Sequence, residues 1–129
     1  MAMKTLTKAG LSLALLAAFS GTPALAAPLA NQARSEITHL FDVLEKSGCR
    51  FGRNGSWYDG AKARSHLASK YDYISARTTL DSAETFIDLA ASRSSLSGQA
   101  YEVDCPGAGV RPSAQWLKEE LGRYRRQAS

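Results

Sequence analysis

The stretch CRFGRNGSWYDG, residues 49–60, decides the local fold around which the rest of the chain is arranged. Its Asn54-Gly55 pair favours a two-residue hairpin turn, because both turn positions need a positive φ. Phe51 before the turn and Trp57-Tyr58 after it are residue types that favour strands. Asp59 can then cap a helix, since its carboxylate accepts a hydrogen bond from the first helical turn. The stretch therefore predicts a β-hairpin that leads directly into a helix.

Four segments of the chain carry apolar residues at helical spacing. The first runs from about residue 32 to 47 and stops at Gly48, and the second runs from the Asp59 cap to about residue 75. The third begins with DSAE, where Asp81 is the expected cap and Glu84 completes a capping box. The fourth begins at PSAQW, with Ser113 as the expected cap. The side chains expected to face the core on the last two helices are Phe86, Ile87, Leu89 and Ala90, and Trp116, Leu117, Leu121 and Tyr124.

The segment QAYEVDC, residues 99–105, predicts one further strand. Its alternation puts Tyr101 and Val103 on one face. Cys105 ends this strand, and Cys49 begins the predicted hairpin. A bond between the two cysteines would tie the exit of the first helix to this strand.

The first 26 residues are typical of a signal peptide. Lys4 and Lys8 precede the apolar run LSLALLAAF, and small residues follow in GTPALAAP. The best cleavage point lies between Ala26 and Ala27. The alternative is a transmembrane anchor, but the run is shorter than the roughly 20 residues that a membrane span needs. We therefore expect an exported, periplasmic protein that has no stable membrane anchor after cleavage.

The chain contains two cysteines, Cys49 and Cys105. In an oxidising compartment an isolated pair favours a disulfide, and the alternative is two free thiols. Closing this loop would stabilise the fold by about 3–5 kcal/mol. We therefore predict an α+β fold over residues 27–129. It is a small single domain of about four helices, packed with a short antiparallel β-hairpin or three-stranded ribbon and held by one disulfide.

The charge of the chain gives little support to nucleic-acid binding. The net charge of +4 falls to +2 when Lys4 and Lys8 leave with the signal peptide. A phosphate-binding face needs clustered cations, and the clearest cluster is Arg123, Arg125 and Arg126. These arginines lie at the end of the fourth predicted helix, where cations are favourable, so we expect a solvated helix end.

Three segments carry a resemblance to a known family: SGCRFGRNGSWYDGAKARSHLASKYDY, SAETFIDLAASRSSLSGQAYEVDCPG and PSAQWLKEEL. In this order they resemble the YfeK-like family of small exported bacterial proteins, a domain of unknown function. The resemblance extends from Arg34 to Tyr124. It implies a periplasmic protein with paired cysteines at Cys49 and Cys105, and it implies no catalytic residue.

The residues that could carry chemistry do not form a recognisable catalytic set. His39 and His66 both lie on predicted helices at the edges of apolar stripes, where a partly exposed helix residue is the usual case. The serines of SRSSLSG do not lie in a Gly-x-Ser-x-Gly elbow, and they favour a loop whose hydroxyls bond to nearby backbone. We expect no cofactor and no metal, since the histidines are far apart and the cysteines are expected to be oxidised.

The residues proposed for a binding surface are Arg53, Trp57, Tyr58, Ser97 and Tyr101. An exposed aromatic side chain beside Arg53 would make a binding platform, although Trp57 or Tyr58 could instead fill a small core. Ser97 and Tyr101 belong to a Ser-Gly-x-x-Tyr sequence that resembles a short loop motif of periplasmic lysozyme inhibitors of the MliC/PliC type.

These features favour a non-enzymatic binding or interaction module of the cell envelope. Its partner would be an envelope protein or a cell-wall component, and not nucleic acid. The alternative is an inhibitor of an envelope hydrolase, or a hydrolase, built around Ser97 with Tyr101 and His66.

Overall fold

The predicted hairpin is present in the computed structural model, which describes Gly10, Ser12, residues 14–16 and residues 23–129, with the side chains from residue 30 onward. Strand β1 (Arg50–Arg53) pairs antiparallel with β2 (Ser56–Tyr58). Asn54 and Gly55 join them with φ values of 51° and 82°, the pair of positive angles that a type I′ turn requires. Asp59 then caps the next helix, because its Oδ1 accepts a hydrogen bond of 2.8 Å from the amide of Lys62.

The hairpin belongs to a four-stranded antiparallel sheet with the order β2-β1-β3-β4. The remaining elements, in chain order, are α1 (Pro23–Lys46), α2 (Gly60–Ser75), α3 (Ala83–Ala90), β3 (Glu102–Cys105), β4 (Gly109–Pro112) and α4 (Ser113–Ala128). The prediction of an α+β domain with four helices is confirmed. The sheet has one strand more than the expected ribbon, because GVRP has no apolar alternation and is recognisable as a strand only beside β3.

The helices cover one face of the sheet, which we call the inner face. Phe51 and Val103 lie opposite each other on it, and both are buried. Helix α4 packs against β3 and β4, and the Phe51 and Trp116 rings meet edge to face at 5.6 Å. The core combines this face with the apolar sides of all four helices. Its largest fully buried side chains are Phe86, Ile37, Leu40, Leu44, Ile87, Leu117, Leu121 and Val103.

A disulfide between Cys49 and Cys105 joins the exit of α1 to the end of β3, as the sequence predicted. The two cysteines are 56 positions apart in the chain, with Cα atoms 4.2 Å apart in space. Closing a loop of that length stabilises the native state by about 4 kcal/mol through the entropy of the unfolded chain.

The helix ends and faces differ from the sequence prediction in several places. Helix α1 begins at Pro23, and α3 is capped by Ser82 rather than Asp81, since the Ser82 hydroxyl accepts from the Thr85 amide at 3.1 Å. Ser113 is the first residue of α4 and does not act as its cap. Leu89 is 56% exposed rather than buried, because α3 turns only Ala83, Phe86, Ile87 and Ala90 into the core.

Arg125 is not part of a solvated helix end, as the sequence had suggested. Its guanidinium donates hydrogen bonds of 2.7 and 3.0 Å to Glu36 of α1 and of 2.7 and 2.8 Å to Glu84 of α3. The Glu36 side chain is only 5% exposed, and a buried carboxylate without a cationic partner would destabilise the fold. The hydrogen bonds from Arg125 also lower the pKa of Glu84. The C-terminal helix is therefore tied to two other helices through one side chain.

Most of the predicted signal peptide lies outside the described residues. The backbone of α1 passes through Ala26 and Ala27, and the cleavage between them stays a prediction. Within the residues that the structure describes, no helix has both the length and the apolar character that crossing a membrane requires.

Two glycine-to-alanine substitutions are expected to change stability in opposite directions. A Cβ at Gly60 would overlap the backbone carbonyl of Leu44, where α2 passes close to α1. Gly60→Ala should therefore lower the free energy of unfolding by about 1–3 kcal/mol. At Gly122, inside α4, the nearest atom is the flexible end of Arg126 at 3.4 Å. Gly122→Ala should raise the free energy of unfolding by about 0.5–1 kcal/mol.

Urea unfolding of the two variants and the wild type would measure both changes. A Gly60→Ala protein as stable as the wild type would show that α1 and α2 do not approach as closely as described.

Candidate anion-binding cleft

A cleft of about 320 Å³ opens between α2 and the inner face of the sheet. Its floor consists mainly of apolar core residues, and its rim is polar and partly or fully exposed. The buried lining residues are Leu44, Phe51, Leu67, Ala91 and Leu117 together with Tyr101 and Ser113, and the rim residues are Arg53, Tyr58, Lys62, Ser65, His66 and Ser69. Such a combination of apolar walls and a few convergent polar groups is typical of small-molecule sites.

Two elements of regular structure bring the rim residues together. Lys62, His66 and Lys70 are spaced four residues apart on α2, so they lie along one stripe of the helix. Arg53 is two residues beyond Phe51 on β1, so the strand directs both side chains to the inner face. The hairpin and the helix it leads into therefore present Arg53, Lys62 and His66 to the same cleft.

Arg53, His66, Lys70 and Tyr101 form a connected cluster beside the cleft, and all of them except Lys70 line it. Arg53 Nη1 lies 2.9 Å from His66 Nδ1 and 3.2 Å from Nε2. His66 Nε2 is 3.2 Å from the Tyr101 hydroxyl, and Lys70 Nζ donates to that hydroxyl at 3.2 Å. Because a guanidinium only donates, the nearer ring nitrogen, Nδ1, accepts and His66 carries its proton on Nε2. The Tyr101 oxygen then accepts from both His66 and Lys70.

The cleft carries positive charge that no described carboxylate balances. Its lining contains no aspartate or glutamate, and none of the ion pairs among the described residues involves Arg53, Lys62 or Lys70. Arg53 Nε is buried and has no hydrogen-bond partner among the described residues. Burial lowers the pKa of His66, and the charges of Arg53 and Lys70 lower it further. The site thus has donors and cations for which an anion is the complementary ligand.

The structure brings together three of the five residues proposed for a binding surface. Arg53, Tyr58 and Tyr101 line the cleft. Trp57 lies on the opposite face of the sheet, where its indole covers Gly52, and it is 38% exposed. The fifth residue, Ser97, is exposed and does not line the cleft.

The serine loop, residues 94–99, is held against the hairpin turn by its own hydroxyls. The Asn54 amide donates to Ser94 Oγ at 3.1 Å, and Ser97 Oγ donates to Asn54 Oδ1. Ser94 is buried and its hydroxyl also accepts from the Leu96 amide at 3.2 Å. Both ring nitrogens of His66 contact Arg53 or Tyr101 rather than a serine hydroxyl. This geometry gives no support to Ser97 as a nucleophile, and its role in inhibiting a hydrolase stays a prediction.

Sequence reasoning assigned no binding role to Lys62 or Lys70, and it favoured His66 as an ordinary helix residue, with a role in a hydrolase around Ser97 only as the alternative. One signal was present, because the four-residue spacing of these three residues places them on one stripe of α2. Nothing in the sequence indicated that this stripe would face Arg53. Across the described residues, no group of three or more His, Cys, Asp or Glu side chains could hold a metal ion.

The fold and the cleft define a small disulfide-linked α+β domain with a cleft that has basic residues at its rim. The sequence profile of a family of unknown function, DUF5329, matches residues 31–125, and the chain belongs to this family. Over 68 residues it is 37% identical to the uncharacterized protein YfeK of Salmonella typhimurium. This match covers 52% of the chain and 55% of the relative, so the chain spans about half of that protein. The resemblance to the YfeK-like family is confirmed. No solved structure matches the chain.

The lowered pKa of His66 predicts a specific loss of stability in acid. The unfolded chain binds a proton at this histidine as the pH falls through about 6.5, whereas the folded protein binds it only at lower pH. Stability should therefore fall below pH 6.5, because the unfolded state gains the proton first. The loss of stability due to His66 should end once the pH is below the pKa of His66 in the folded protein.

Thermal unfolding between pH 8 and pH 5 would measure this contribution. A His66→Gln variant should lose less stability across this range than the wild type. A His39→Gln variant should keep the contribution of His66, since His39 stacks on Tyr124 outside the cleft. Identical pH profiles for His66→Gln and the wild type would contradict the description of His66 as a desolvated neutral base.

Proposed function

We propose that this chain is a non-enzymatic binding module of the bacterial cell envelope that holds an anionic ligand in the cleft between α2 and the sheet. One observation carries the proposal: Arg53, Lys62 and His66 line a cleft that has no carboxylate among its described lining residues, and Lys70 donates to the Tyr101 hydroxyl beside it. An unbalanced group of cations in a half-buried site is costly for the free protein, and an anion compensates that cost.

The arrangement favours binding over catalysis. General acid–base chemistry commonly relies on a second group, such as a carboxylate that orients a histidine. Here the neighbours of His66 are the cation Arg53, the phenol Tyr101 and, through that phenol, the cation Lys70. These groups stabilise a negative charge placed beside them. They offer no partner that would take a proton from His66.

The compartment is the second part of the proposal. The basic and apolar composition of residues 1–26 and the Cys49–Cys105 disulfide both favour export to the periplasm. The ligand would then be an anionic component of the envelope, either a cell-wall component or part of an envelope protein. The intact mass of protein from the periplasm should correspond to a chain that begins at Ala27. A mass that includes residues 1–26 would contradict the cleavage.

The cleft is expected to lose affinity for anions when Arg53 is replaced. The wild type should bind at least one of acetate, hexanoate and inorganic phosphate saturably in a calorimetric or NMR titration. Arg53→Gln should weaken that binding by about 10- to 150-fold, because a charge-assisted hydrogen bond contributes about 1.5–3 kcal/mol.

Arg50→Gln is the matched control for this substitution. Arg50 lies three residues earlier on the same strand, is exposed and points to the opposite face of the sheet. The Arg50→Gln substitution removes the same charge from the protein, and it should change the affinity for anions by no more than about twofold. An equal loss in both variants would show that binding follows net charge rather than the cleft. The failure of all three anions to bind would refute the proposed site.

A further inference from the structure

The cleft is basic only at its rim, and its floor is part of the hydrophobic core. Leu44, Leu67, Ala91 and Leu117 reach the cleft and are each at most 7% exposed, although they border an open space. A small hydrated ion at the rim would leave this apolar surface uncovered. Covering it with an apolar group removes that surface from water, which stabilises the bound state.

We infer that the ligand is an amphipathic anion, with one negatively charged group at the rim and an apolar body that lies on the floor. This inference rests on the proposed function and adds the chemical class of the ligand to it. The charged group lies beside Arg53 and Lys62, and the apolar body extends toward Leu67 and Leu117.

The volume of the cleft limits the size of the apolar body. A protein cavity of about 150 Å³ accepts benzene, which has six heavy atoms. A cleft of about 320 Å³ therefore has room for about twelve heavy atoms at the same density. A medium-length alkyl carboxylate or an aryl carboxylate has this size. A long acyl chain would extend out of the cleft into water.

The orientation of the ligand follows from the positions of the donors. Lys62, His66 and Arg53 belong to the partly or fully exposed rim, whereas the buried lining carries no charged side chain and only the hydroxyls of Tyr101 and Ser113. A reversed ligand would place its charge on the apolar floor, where an unpaired charge is strongly unfavourable. The charged end must therefore stay at the mouth of the cleft, near water.

A series of straight-chain carboxylates from acetate to dodecanoate tests the inference on the intact protein, below the concentrations at which the acids form micelles. The affinity should rise about fourfold with each added methylene while the chain still lies on the floor. It should stop rising near decanoate, which has twelve heavy atoms. Alkyl alcohols and alkylammonium ions of the same lengths should bind at least tenfold more weakly than the acids.

Arg53→Gln and Arg50→Gln separate the contribution of the charged group from that of the chain. Arg53→Gln should lower the affinity for every acid by the same factor. It should leave the fourfold gain in affinity per methylene unchanged, because the apolar floor is intact. Arg50→Gln should change neither quantity.

The possible outcomes distinguish this inference from the proposed function. Anions that bind at Arg53 with no gain for longer chains would overturn the inference and leave the proposed function in place. Alcohols that bind as tightly as the acids would show an apolar site and refute the anion site. A gain in affinity that continues unchanged to dodecanoate would contradict the size limit.

Discussion

The Cys49–Cys105 disulfide is the constraint on which the cleft depends. It joins the residue just before β1 to the last residue of β3, and it thereby supports the register in which Phe51 lies opposite Val103. A slip of one residue would turn Arg53 and Phe51 to the outer face and would bring Gly52 and Trp57 to the core. The covalent bond makes that slip costly. The positions of the basic rim and of the apolar floor therefore both depend on the register of β1 against β3.

The rest of the molecule holds α2 at a fixed distance above this sheet. Gly60 lets the start of α2 lie against the backbone of α1, and the Asp59 carboxylate caps the helix at that point. At the other side of the fold, Arg125 joins α4 to α1 and α3 through two carboxylates. The cation Arg125 thus has carboxylate partners. Arg53, Lys62 and Lys70 form no ion pair among the described residues, and this difference is the basis of the proposed anion site.

Local signals predicted much of the fold. Asn54-Gly55 indicated the turn and Asp59 the helix cap, because each depends only on neighbouring residues. Leu89 was assigned wrongly to the core, since apolar character alone does not show which face of a short helix has a partner. Arg125 was assigned wrongly to solvent for the converse reason: its partners Glu36 and Glu84 are 89 and 41 positions away in the chain.

The sequence by itself determined the helices, the hairpin, the cysteine pair and the family, because these follow from periodicity, turn chemistry and residues that match in order. It also contained every residue of the cleft, including Arg53, Tyr58 and Tyr101, which it placed among the candidates. Only the tertiary structure decided that His66 and Lys70 lie beside Tyr101, 35 and 31 positions away, and that no carboxylate of the described residues forms an ion pair with them. The charge of a site is a sum over neighbours in space, and most of those neighbours are remote in the chain.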